Sequence, residues 1–291
     1  MIVHYFLGGN RSRSRAHRSR SARKRATRRQ IFALRPRCET MEDRTLLATM
    51  LWASAVNGDW DVASNWVNSG NSSDHHVPTS TDDAVINQAG ITITHNQSTS
   101  DSVNSISIPS NATALSISSG TLSIAATSNL AGGLNLSGGT LSGTGSVNVS
   151  GPTTWTGGTM SGSGVTAADG GLAVGGTAAA NYFEYLSGRE LDNYGAATLN
   201  AYAPYSNGFY VSGGAVLDNE AGGTLAFGSD TSIYANGGTP SGGTFVNQGT
   251  LSKTGGTGTS AITLPITDSG TVQASSGTLS ACRAAGPSPA P

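Results

Sequence analysis

The apolar residues of this chain alternate with polar ones in short runs. Leu115-Ser116-Ile117, Leu122-Ser123-Ile124, Leu134-Asn135-Leu136 and Val147-Asn148-Val149 each place apolar side chains two residues apart, the period of a strand with one buried face. The runs are separated by Gly-Gly, Gly-Thr-Gly or Ser-Gly, and neither the glycine density nor the period suits a helix. They also repeat. Gly-Thr-Leu or a near relative begins at Gly120, Gly139, Gly158 and Gly176, at spacings of 19, 19 and 18. Further on, Asn193, Asn219, Asn247 and Asp268 close similar motifs at spacings of 26, 28 and 21. Stacked asparagines hydrogen-bond along a repeat as a ladder. A repeat of this length with about three short strands predicts an all-β chain, a right-handed parallel β-helix of roughly nine coils over residues 91–280. Disorder, which Gly/Ser/Thr-rich sequence often prefers, conflicts with the regular alternation. A β-sandwich leaves the recurring anchors unexplained.

Ahead of the repeats, residues 48–90 hold Trp52, Trp60 and Trp66, three of the 4 tryptophans. Asn57-Gly58 reads as a tight turn, and Val77-Pro78 to Ile86 as a turn entering a buried strand. A stack of coils needs an end-plug, because its first coil otherwise exposes core and strand edge. Three large aromatics suit that role; a sugar-stacking platform is the alternative. Asp74-His75-His76 reads as a solvated loop, since adjacent histidines point to opposite sides of an extended chain and no third ligand follows. Asp82-Asp83 reads as a turn, without the spaced ligands of a calcium loop. No metal site and no cofactor motif is expected. The Gly-x-Trp…Asn-Trp…Pro…Asp-x-x-x-Ile pattern of this segment resembles the opening found ahead of autotransporter-like and haemagglutinin-like β-solenoids.

Charge divides the 291-residue chain. Its formal net charge of −1 averages 13 basic and 3 acidic residues in 1–50 against 3 basic and 14 acidic residues after it. So few cations in the body argue against a nucleic-acid partner. No run of apolar residues is long enough for a transmembrane helix, and Cys38 and Cys282 form neither a disulfide framework nor a zinc site. Residues 11–29 carry ten like charges and no apolar stripe, so a disordered basic N-terminal arm is expected. RNA binding is the lesser reading of this Arg/Ser tract.

A short apolar stretch, Thr45 to Ala55, ends in Ala53-Ser54-Ala55 and resembles a secretory signal; cleavage there would remove Trp52. Met41-Glu42-Asp43-Arg44-Thr45-Leu46-Leu47 resembles the N-terminal sorting box of large exported surface proteins of planctomycete bacteria, with Met41 in place of the usual Leu. That resemblance implies a cell-surface or extracellular address. Residues 1–47 are therefore a basic leader with a sorting motif. Residues 281–291, rich in proline, are expected to form a disordered tail, as in a truncated piece of a longer surface protein. An uncovered last coil would favour end-to-end self-association.

Candidate chemistry is sparse. The best constellation is Glu184, Arg189, Glu190 and Asp192. Glu190 and Asp192 share a strand face, a spacing suited to paired-carboxylate glycoside chemistry. They sit among Tyr182, Tyr185, Tyr194, Tyr202, Tyr205, Phe209 and Tyr210. Tyr182, Tyr185, Glu190, Asp192, Tyr194 and Tyr202 are the candidate carbohydrate-binding residues. The bland reading of the same stretch is an outward-bulging coil with a surface ion pair. The expected function is a non-catalytic, adhesin-like surface solenoid with glycans or cell-envelope components as partners. The alternative is a carbohydrate-binding or carbohydrate-active β-helix protein.

Overall fold

The computed structural model describes residues 47–176, 183–201, 208–236 and 242–283. Residues 1–46 of the leader, the tail beyond 283, Tyr182, Tyr202 and Tyr205 lie outside these residues; Ala281–Arg283, expected in the disordered tail, instead end the strand Thr278–Arg283, paired with the turn below. The chain is a parallel β-solenoid of about eight turns, with, among the described residues, a single 3-10 turn, Ala63–Asn65, beside the strands. Each turn visits three sheets. Sheet one runs from Thr92–His95 through Ala114–Ile117 to Ala196–Asn200 and Thr271–Ala274. Sheet two includes Ser100–Val103, Thr121–Ile124, Glu184–Ser187, Gly208–Ser212 and Ser232–Ala235. Sheet three runs from Ala48–Trp52 through Asp82–Val85 to Glu190–Asn193, Ala215–Asn219 and Gly243–Asn247. No helix among the described residues is long and apolar enough to cross a membrane.

The alternation places side chains as the pattern requires. Leu115, Ile117, Leu122, Ile124, Leu134, Leu136, Val147 and Val149 are all buried, while the polar residues between them are not. Burying one such aliphatic side chain contributes about 2 kcal/mol, and the stack repeats that gain on every turn. The glycine signals set the register for two steps: Thr121 pairs with Thr140, and Thr140 with Thr159. The third step departs from the expected spacing. Gly158 pairs with Glu184, not Gly176. Gly176 follows the sheet-one strand Leu172–Gly175 instead, because the chain between that strand and the next sheet-two strand is longer here. Where the spacing holds, close approach explains the residue type. Gly162 has φ +88°, and a Cβ there would lie 2.2 Å from the carbonyl oxygen of Gly143 one turn below.

The anchors do form a ladder. Asn193 pairs in register with Asn219, Asn219 with Asn247, and Asn247 with Asp268. Nδ2 of each asparagine donates to the oxygen of the next residue at 2.8 Å. The three asparagines are fully buried, so each Nδ2 exchanges water for its neighbour's oxygen, while Asn193 Oδ1 at the first rung has no partner.

The N-terminal segment covers the first strand edge. Ala48–Trp52 lies parallel to Asp82–Val85 on one side and antiparallel to Trp66–Asn68 on the other. The apolar stretch read as signal-like thus supplies the first strand of sheet three. Trp52, Trp60 and Trp66 are buried and meet edge-to-face, with centroids 5.1 and 4.8 Å apart. Trp66 Nε1 donates to the Trp60 carbonyl at 2.8 Å. Asn57-Gly58 is not the expected tight turn: Gly58–Asp59 is a short strand paired with Ile93 and Thr94. Glycine is required there by proximity, since a Cβ would lie 2.8 Å from Trp52. The Asp74-His75-His76 loop is likewise tied down. His75 Nδ1 bonds the Trp66 carbonyl at 2.5 Å, and His76 bridges Asp74 and the buried Asp82 at 2.8 and 3.2 Å. At the other end, Thr271–Ala274 is exposed throughout, with Val272 48% exposed.

Two asparagine pairs of similar geometry test the value of burial. Asn148 donates to Asn129 at 2.9 Å on the exposed surface. Asn219→Ala should lower stability by about 2 kcal/mol, because it strands buried partners on both sides. Asn148→Ala should change it by less than about 0.5 kcal/mol. Urea denaturation followed by circular dichroism reads both.

Candidate functional site

Sheet two carries an aromatic column. Tyr185, Tyr210 and Tyr234 occupy the same register position on three successive turns. Parallel pairing without a shift forces like residues to stack, and here it stacks phenols. Ring centroids are 5.4 Å apart for Tyr185 and Tyr210 and 5.5 Å for Tyr210 and Tyr234, with interplanar angles of 27° and 31°. Phe183, 41% exposed, sits edge-on against Tyr210 at 5.5 Å. Gly208 makes room: a Cβ there would lie 2.3 Å from the Tyr234 ring. All three tyrosines are half-buried. The Tyr210 phenol is pushed above its ordinary value by burial and by its two neighbours, so it remains a hydrogen-bond donor at neutral pH.

Sheet three carries an acidic corner. Asp192 stacks in register on Asp218, beside Glu190 of its own strand and Glu220 of the next turn. Burial pushes the Asp192 carboxyl up to about 7, with Glu190, Glu220 and Asp218 adding like-charge repulsion. Asp192 Oδ1 is buried without a hydrogen-bond partner. Asp218 is also raised, mainly by burial, against the help of Gln248 Nε2, which donates to its carboxylate at 3.3 and 3.2 Å. Tyr194, 47% exposed, lies near Glu220 and Asp192, and its phenol is raised by partial burial and then by those carboxylates.

The structure therefore separates the sequence-derived candidates. Glu190, Asp192 and Tyr194 come together on sheet three, joined by Asp218 and Glu220. Tyr185 belongs to the ladder on sheet two, joined by Tyr210 and Tyr234. Tyr182 and Tyr202 fall outside the described residues. Tyr234, Asp218 and Glu220 escaped notice because each lies a full turn from its partners, at spacings that vary between turns.

The surface ion pair expected around Arg189 is absent. Arg189 is fully buried, and its five N–H groups point inward to neutral acceptors. Nε donates to Thr166 Oγ1 at 2.7 Å, and the two terminal nitrogens donate to the carbonyls of Gly143, Ser161, Gly145 and Val165 at 2.9–3.3 Å. Burial lowers its pKa to about 10, leaving it a cation at neutral pH. Lys253 is spent in the same way, with Nζ bonded to Asp230 at 2.8 Å and to Ser229, Gly255 and Ser260. Neither cation neutralises the acidic corner.

Glu184 faces the core, between Gly158 and Phe209 in register. Burial drives its carboxyl up to about 8, opposed only by its own backbone amide.

No protein-family model, curated protein or solved structure matches the chain.

The raised carboxyls link stability to pH. Glu184 holds its proton in the folded state well above its ordinary value of 4.5. Its contribution is therefore full below about pH 4.5 and is lost as pH rises through about 8. Glu184→Gln should remove that loss and stabilise the protein at pH 8 by on the order of 3 kcal/mol relative to wild type, with little difference at pH 4. Denaturation midpoints of both proteins across pH 4–9 give the comparison. Arg189→Leu should act oppositely, lowering stability by about 3 kcal/mol at every pH by leaving buried carbonyls without donors.

Proposed function

We propose that this chain is a non-catalytic, adhesin-like solenoid of the bacterial cell surface that holds extended glycans on its tyrosine ladder. The observation that carries the reading is the column Tyr185–Tyr210–Tyr234. A parallel stack repeats a phenol at about the strand spacing, and sugar units in an extended glycan advance by a comparable distance. Aromatic edges and protonated hydroxyls on one line offer apolar contact and hydrogen bonds together, the mixture that saccharides require. The stiffness of the stacked turns keeps the row in place without an ordering cost at binding. The resemblance of Met41–Leu47 to a surface-sorting box and the Arg-rich leader before it support the address. With Arg189 and Lys253 turned inward, such binding would depend little on salt.

A second reading has one observation in its favour. Asp192, protonated near neutral pH, lies beside Glu190, and a carboxylic acid beside a carboxylate is the pairing used in glycoside hydrolysis.

Glycan-array binding of the full chain decides between them. Tyr210→Ala should weaken binding at least tenfold while the circular dichroism spectrum is kept, and Thr198→Ala on sheet one should leave binding unchanged. Equal binding by wild type and Tyr210→Ala would remove the ladder from the reading. Release of reducing sugar by wild type, lost in Glu190→Gln, would make the protein an enzyme.

A further inference from the structure

Three side chains from separate segments converge where the tryptophan cap meets the first full turn. Asp61 follows the buried Trp60, His95 ends the strand Thr92–His95, and Asp101 lies in Ser100–Val103. One ligand atom from each lies within 4.8 Å of the others. His95 Nε2 is 2.9 Å from Asp101 Oδ2 and 3.9 Å from Asp61 Oδ1.

The hydrogen bonds of this corner leave one carboxylate oxygen over. His95 Nδ1 lies 2.8 Å from the carbonyl oxygen of Ser119. A carbonyl only accepts, so Nδ1 carries a proton. Nε2, the other ring nitrogen, faces the two carboxylates. The Thr99 hydroxyl lies 2.9 Å from Asp61 Oδ1 and 2.8 Å from Asp101 Oδ2, yet has one proton to give. Asp61 Oδ2 is buried with no partner. The imidazole itself is fully buried and held in place. Beneath it, Gly120 has φ +64°, and a Cβ there would lie 2.8 Å from His95 Cε1. Two carboxylates, one with an oxygen that nothing bonds, thus converge on one imidazole nitrogen.

We propose that Asp61, His95 and Asp101 form a binding site for a divalent transition metal of the zinc class, which clasps the tryptophan cap to the first turn of the solenoid. One imidazole nitrogen and two carboxylate oxygens are a borderline donor set suited to zinc. Bonds of about 2.0–2.1 Å in a tetrahedron separate ligands by roughly 3.3 Å, and the 2.9 and 3.9 Å separations bracket that value. The Nδ1–H bond to a backbone carbonyl is the outer support that fixes a ligating histidine's tautomer and frees Nε2 for the metal. Asp101 keeps one-fifth of its side chain exposed, which leaves a way in, and Thr99 or water can take the fourth position. Gln97 already ties the same corner to the cap, donating to Asp59 at 2.8 Å. The other histidine between carboxylates is not equivalent. His76 has Asp74 at Nδ1 and Asp82 at Nε2, on opposite sides of the ring, so its carboxylates do not converge on one ion.

The test uses the full chain, stripped with chelator and titrated with zinc chloride by calorimetry and thermal denaturation. One zinc per chain at micromolar affinity or better, with a melting midpoint raised by several degrees, is expected. Asp61→Asn and Asp101→Asn should each weaken binding at least tenfold, and His76→Gln should not. Nitrogen-15 resonances of histidine in the wild-type protein give a reading that needs no variant: zinc should move one Nε2 signal while its Nδ1 remains protonated. A wild-type chain that takes up no zinc, binding retained in both aspartate variants, or binding lost in His76→Gln would overturn the proposal. So would a protonated Nε2 on His95 at saturating zinc.

Discussion

Backbone pairing between successive turns, parallel and mostly without a shift, is the constraint from which the other features follow. Each strand lies on the one a turn below, so a residue's closest neighbour is its counterpart in the previous turn. Aliphatic positions then build a continuous core, asparagines build a hydrogen-bonded ladder, tyrosines build a ring stack, and glycines line up where carbonyls approach too closely for a Cβ. The same rule that gives stability also concentrates like charges. Asp192 falls on Asp218 because the register allows nothing else; burial above all, then the nearby carboxylates, pushes its carboxyl up to about 7.

Such a stack has two vulnerable places, its ends and its polar interior. The N-terminal end is closed by an antiparallel strand and three interlocked indoles. Inside, buried polar groups are tolerated where donors and acceptors match. Arg189 meets that condition in full, replacing solvent with one hydroxyl and four carbonyls. Glu184 does not, and its carboxyl escapes the cost by staying neutral. The corner at His95 is intermediate: its groups are well placed, and one of its carboxylate oxygens has no partner. These three buried sites span the range from satisfied structure to a place for a ligand.

The ladder and the acidic corner lie on different sheets of the same turns, which divides their chemistry. A row of phenols suits recognition of neutral polymers. Carboxylates packed without counter-ions suit proton transfer or cation capture.

Alternation and repeated glycine were enough to determine the class of fold, the buried face of the alternating strands and the asparagine ladder, because all three depend on spacing along the chain. The aromatic plug was legible for the same reason, as a cluster of tryptophans ahead of the first repeat. Gly176, Arg189 and the Asn57-Gly58 dipeptide were not, since a longer turn, an inward rotamer and a neighbouring indole leave no mark on local pattern. Tyr234 joining Tyr210, Asp218 joining Asp192, and Asp61 meeting His95 and Asp101 were decided only by the tertiary structure. Turn length sets which residues stack, and it varies here from turn to turn through segments with no periodicity of their own.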